Sequence, residues 1–307
     1  MPRLALIVPG PLHARAAANQ RGILYMASGM ACLVLNDALM KYVGSSVSVA
    51  QMICVRGVMA ILMILIVAHA LGATARLRTL LDRNVATRAV VDSVGTSLYI
   101  VSLMHLPIGN ATAINLAAPL IMALLAVLFL GEHPGLRRWL AIGAGFVGVI
   151  LVIQPRLDDF NAWAVLCLAA TVCQATRDLL TRRIPTDVPS ILIALASVGF
   201  VTLLASGLTV VQGWQPMELS GIALLAIAAA LLAAGYYLIV NSMRHGEMSM
   251  VAPFRYSGLL VALLAGFFVW GDIPSAMAWG GIALLLGAGV YLLHDERRRR
   301  GEELPLA

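Results

Sequence analysis

Seven ionisable side chains sit inside apolar runs of this sequence: Lys41, Arg56, Arg177 and Arg255, and the acids Asp37, Asp92 and Asp178. At a lipid-facing helix centre each would cost roughly 2.5–3.5 kcal/mol on insertion scales. Each must therefore face a wet cavity, pair with an opposite charge, or lie near an interface. Helical rise sets Asp37 and Arg56 at matching depths near one end of their runs, and Asp178 and Arg255 at matching depths near the other. Two ion pairs are expected, Asp37 with Arg56 and Asp178 with Arg255. Each would either staple two helices or take part in substrate binding or gating. Asp92 follows Arg88 by one helical turn, the spacing of an i,i+4 pair. Lys41, the sole lysine, is close enough to an interface to snorkel.

Neutral polar groups join these charges. Asn110 and Asn115 precede Pro119, and Pro253 precedes Arg255 and Tyr256; proline inside a span frees a carbonyl and bends the helix where it lines a cavity. Tyr99 and Tyr256 could stack on a planar ligand. The candidate substrate-binding set is Asp37, Arg56, Tyr99, Asn115, Arg177, Asp178, Arg255 and Tyr256. No H-E-x-x-H, G-x-S-x-G or phosphate-loop pattern occurs. Cys32, Cys54, Cys167 and Cys173 form no C-x-x-C pair, and the six histidines fall at span ends or in loops. No catalytic residue, metal or cofactor is expected.

Positioning these residues requires apolar elements. Of 307 residues, 61% are hydrophobic and 12% charged, where a soluble domain carries about 25% charge. The apolar segments are continuous rather than alternating, which excludes a membrane β-barrel. The sequence predicts an all-α membrane protein with ten spans, near 22–42, 48–70, 88–105, 108–130, 137–153, 161–181, 188–211, 219–241, 248–270 and 275–294. Residues 1–21, whose short apolar stretch is broken by Pro9 and Pro11, read as an uncleaved mobile cytoplasmic tail, and 295–307 as a basic one. With the N-terminus cytoplasmic, sixteen arginines fall in inner segments and one, Arg156, in an outer loop. That bias places both termini in the cytoplasm and accounts for the net charge of +6 without nucleic acid. The Gly143-Ala144-Gly145, Gly148 and Gly287-Ala288-Gly289 runs read as close helix packing.

The second half restates the first. Leu130-Gly131-Glu132-His133-Pro134 with Trp139 matches Trp270-Gly271-Asp272-Ile273-Pro274 with Trp279, and Cys32, Asp37 and Lys41 face Cys173, Asp178 and Arg182. Two five-helix units, 22–155 and 156–294, are expected. Five is odd, so the second enters the membrane from the opposite side as an inverted repeat, which suits alternating access.

Asn36-Asp37-Ala38-Leu39-Met40-Lys41, Val55-Arg56-Gly57, Ala117-Ala118-Pro119-Leu120 and Leu130-Gly131-Glu132 resemble the EamA-like family of the drug/metabolite transporter superfamily. The resemblance implies a ten-helix secondary transporter, not an enzyme, in the cell (inner) membrane, with a central substrate cavity and helices 5 and 10 outside it. Ala175 to Pro185 resembles a segment of its bacterial riboflavin-uptake members. The implied substrate is riboflavin or a similar vitamin; export of amino-acid-like metabolites or drugs is the alternative, and a membrane-embedded enzyme on a lipid-linked substrate the reading of another class. Expected partners are a small-molecule substrate and the lipid bilayer, with no nucleic acid and a homodimer left open.

Overall fold

The computed structural model describes residues 11–44, 47–118, 120–121, 124–125, 136–153, 162–181, 183–185, 187–245 and 252–302. Ten α-helices occur among them: α1 (Pro11–Val43), α2 (Val49–Ala70), α3 (Arg83–His105), α4 (Ile108–Asn115), α5 (Leu136–Ile153), α6 (Ala162–Thr181), α7 (Ser190–Gln212), α8 (Leu219–His245), α9 (Ser257–Ala265) and α10 (Ala276–Glu302). A 3-10 turn, Ala252–Tyr256, leads into α9 and a π turn, Gly266–Trp270, leaves it.

Local chemistry sets the helix ends. Ser48 accepts from the Gln51 amide at the start of α2, and Asp82 from the Asn84 amide at the start of α3. Pro107 and Pro189, which cannot donate, stand immediately before α4 and α7. Gly271 takes a left-handed φ of 71° and closes the π turn after α9. That conformation explains the glycine in the repeated Trp270-Gly271-Asp272 motif; its mate at 130–134 lies outside the described residues.

Two tail expectations need correction. α1 begins at Pro11 rather than near residue 22, because the alanine-rich stretch from His13 to Asn19 has no breaker in it. α10 runs on through Arg297–Arg300 to Glu302, where basic side chains favour a helix C-terminus. Elsewhere the expected span ends agree within a few residues, apart from α3, which starts at Arg83; the second half of the expected 108–130 span and the start of the 248–270 span fall mostly outside the described residues.

Five helical segments, Gln20–Val43, Val49–Ala70, Ala162–Thr181, Ser190–Gln212 and Leu219–Ile239, are long and apolar enough to cross a bilayer, and Trp139–Val152, Phe254–Trp270 and Ala276–Tyr291 are shorter apolar helices. α3 is long enough but carries Arg83, Arg88 and Asp92. The chain is a multi-pass α-helical membrane protein.

Packing follows a pseudo-two-fold. α1 lies on α8 and α6 on α3; α1 meets α9 and α6 meets α4; α2 meets α8 and α7 meets α3. α2 on α7, α4 on α9 and α5 on α10 each pair a helix with its own repeat mate. Contacts at both ends fix the up-down alternation. At the end where α1 starts, Ser242 donates to the Gly22 carbonyl and Arg76 reaches Asp187. At the opposite end Gln51 is bonded to both backbone groups of Gln215, and His105 stacks on Trp163 with ring centroids 3.6 Å apart.

α5 and α10 meet backbone to backbone: a Cβ on Gly148 would stand 2.7 Å from the Gly281 carbonyl oxygen. Gly145 packs on Leu120 and Ala288, but Gly143 and Gly287 face open space. The small-residue seam is therefore Gly145, Gly148, Gly281 and Ala288, and the close packing expected at Gly143 and Gly287 does not occur.

Candidate functional site

Two polar networks occupy the core, one toward each end. The first joins α1, α2 and α3. Arg56 Nη1 donates to Asn36 Oδ1 at 3.1 Å, Asn36 Nδ2 donates to Asp37 Oδ1 at 2.9 Å, and the Tyr99 hydroxyl donates to Asp37 Oδ2 at 3.2 Å. Only one orientation of the Asn36 amide serves both neighbours, since guanidinium needs an acceptor and carboxylate a donor. Asn36 and Arg56 are buried, at 2% and 4% exposure. Asp37 and Arg56 each lie roughly 10 Å along their helices from the nearer end.

The second network joins α3, α6 and α7. Arg177 Nη1 meets Asp92 Oδ1 at 2.7 Å, and its Nη2 meets Asp178 Oδ1 at 2.9 Å. Arg88 Nη1 stands 4.0 Å from Asp92 Oδ2, while its Nε donates to Thr181 Oγ1 and its Nη1 to Ser197 Oγ. Two guanidinium groups share two carboxylates, so the cluster is neutral as a whole.

The networks sit at repeat-related positions. Asn36, Asp37 and Arg56 map at a constant offset of 141 onto Arg177, Asp178 and Ser197, and all six belong to the networks. α3 touches both, offering Arg88 and Asp92 to one and, two turns on, Tyr99 to the other. Tyr236 on α8 lies between them, within the field of Arg56, Arg88, Arg177 and Asp92.

The expected ion pairs are thus rearranged. Asp37 and Arg56 come together through Asn36, not directly. Asp178 does not pair with Arg255; the adjacent Arg177 takes it, because successive residues on α6 can bridge toward Asp92 on the neighbouring helix. The Arg88–Asp92 pair exists but is the longer of the two contacts Asp92 makes. Arg255 lies on the 3-10 turn before α9, and Tyr256 turns its ring toward Gly289 on α10 and bonds to neither network among the described residues. Asn115, at the end of α4, bonds to neither network among the described residues. Lys41 donates to the Leu106 carbonyl at the end of α3 and lies 5.2 Å over the Trp270 ring, an anchoring position. Asn110 lines a crevice with Asp272 and Ser275 beside α9, which includes no network residue.

Asn36, Asp92, Arg88, Thr181 and Ser197 were not in the sequence-derived set. The repeat register held a signal for Asn36 and Ser197, because they stand opposite Arg177 and Arg56.

The model of the EamA-like transporter family matches residues 20–154 and again 161–294. The chain belongs to the EamA-like transporter family. Its repeat is therefore the family domain in tandem, and its curated relatives are transporters rather than enzymes. A riboflavin transporter of Rhizobium johnstonii is 29% identical over 69% of this chain and 70% of its own. A riboflavin transporter of Vibrio cholerae is 27% identical over 94% and 97%. An S-adenosylmethionine uptake transporter of Rickettsia bellii is 24% identical over 64% and 68%. The first network lies within the first of these two domains, and the second joins Arg88 and Asp92 of the first domain to Arg177, Thr181 and Ser197 of the second.

Proposed function

We propose that this EamA-like transporter carries riboflavin, or a vitamin of similar planar and oxygen-rich form, into the cell by alternating access across the inner membrane, with both termini cytoplasmic. The observation that carries the reading is a buried guanidinium, Arg56, linked through Asn36 and Asp37 to the hydroxyl of Tyr99. Guanidinium binds ring carbonyls and stacks on aromatic faces, and the aromatic ring offers a planar surface. The riboflavin-transporter relatives support the same substrate. Alternating access is supported by networks on repeat-related positions, since opening one end while the other closes exchanges their environments. The sixteen-to-one arginine distribution supports the orientation.

An S-adenosylmethionine-like substrate is the second reading, favoured by the relative of that name and by the presence of both a guanidinium and a carboxylate, Arg56 and Asp37, in one network. Growth of a riboflavin-auxotrophic bacterium on low vitamin separates them. Rescue by expression is expected; no rescue, with the protein present in the membrane, removes the flavin reading.

A further inference from the structure

Arg56 and Asp37 approach each other across a gap that one side-chain amide fills. Arg56 is 4% exposed, yet its Nε is buried and donates to nothing among the described residues, while Nη1 reaches Asn36 Oδ1. Buried donors are almost always satisfied, and an orphan on a charged group is the costly exception. Nε is therefore the donor of this network that a ligand would engage.

The chemistry of the ligand's acceptor is constrained by what stands next to it. A free anion drawn to Arg56 would also meet the Asp37 carboxylate, and a free cation drawn to Asp37 would meet the guanidinium. A single group that satisfies both, in the way the Asn36 amide does, is neutral and planar, with a carbonyl beside an N–H. Asn36 is such a group: its oxygen accepts from Arg56 and its nitrogen donates to Asp37.

We propose that Arg56 and Asp37 read a cyclic imide edge, –CO–NH–CO–, on the substrate. A ring carbonyl accepts from Arg56, including the unused Nε, and the ring N–H donates to Asp37 Oδ1, while Tyr99 keeps hold of Oδ2. Asn36 fills the same slot when no substrate is bound, so the empty site is not left with a bare charge pair. This rests on reading Asp37 and Arg56 as substrate ligands, and it holds for any imide ring, flavin or otherwise.

The test varies the ligand, so folding is not at stake. The full-length protein, purified in detergent, is titrated with riboflavin and with 3-methylriboflavin, which lacks the imide N–H, and flavin fluorescence is read. The methylated flavin should bind at least about tenfold more weakly, and the gap should shrink to about threefold or less in Asp37→Ala, where the acceptor is gone and room is made for the methyl group. Equal binding of the two flavins by the native protein overturns the inference, as does a full gap that persists in Asp37→Ala. If neither flavin binds, the flavin reading falls, and uridine against 3-methyluridine, followed by thermal stabilisation, decides the edge by the same criterion. Binding of no imide at all, or stabilisation by a free α-amino acid in its place, overturns it.

Discussion

Arg56 is buried and Arg177 is partly exposed at 16%, and their partners give them different consequences. Arg177 compensates two carboxylates at once, and removing it leaves the buried Asp92 carboxylate without its close partner. Arg177→Ala should therefore cost about 3–5 kcal/mol of stability, read as a large fall in the unfolding midpoint in detergent; a change within about 0.5 kcal/mol, the range of ordinary surface substitutions, would show that Asp92 and Asp178 are satisfied without it. Tyr99→Phe removes a single hydroxyl donor to Asp37 and should cost only about 1 kcal/mol, while lowering uptake because the carboxylate loses its orientation. Uptake at the native level would remove Tyr99 from the site. Most of the charges in the two networks were conspicuous in the sequence, since each interrupts an apolar run, but Arg88 read as an inner-segment residue and joins the second network. The partners of these charges were not legible. Depth along two helices says how far each residue lies from an end, but not how each helix is rotated, and rotation decided that Arg177 meets Asp92 on α3 and that Asp178 does not meet Arg255.

At the scale of elements, apolar runs bounded by Gly, Pro and charge located the helices, because bilayer thickness imposes a length on every span. The expected spans in α1 and α10 match the apolar segments Gln20–Val43 and Ala276–Tyr291, but both helices run beyond them, since helical propensity continues past the apolar segment. The glycine runs indicated that α5 and α10 pack closely, but which glycine faces the partner depends on helical phase: Gly148 does, Gly143 does not. Gly148→Leu should force these two helices apart and lower stability by about 1–3 kcal/mol, with the KM of transport moved by less than about twofold. The matching substitution Gly143→Leu should be nearly silent in a thermal melt, because nothing stands within 4 Å of its side-chain direction. A substantial loss at Gly143 with none at Gly148 would reverse the assignment of the seam.

For the molecule as a whole, the internal repeat predicted two inverted five-helix units, and the helix pairing follows that symmetry, with α1 on α8 answered by α6 on α3. The inverted arrangement requires the loops before α3 and α7 to lie on the same side. Reporter fusions after Arg83 and after Arg183 should both report cytoplasm, and a periplasmic signal at either would overturn the orientation. The repeat could not disclose the cargo, because symmetry describes how the two halves exchange roles and not what lies between them; that rests on Arg56, Asn36, Asp37 and Tyr99. The most direct measurement of the central claim is counterflow. Proteoliposomes holding the purified protein and loaded with unlabelled riboflavin are diluted into trace radiolabelled riboflavin without any imposed gradient. The account predicts transient accumulation of label above its equilibrium level, abolished when the vesicles are loaded with buffer alone. Label that never exceeds equilibrium, although the reconstituted protein is folded, would contradict it.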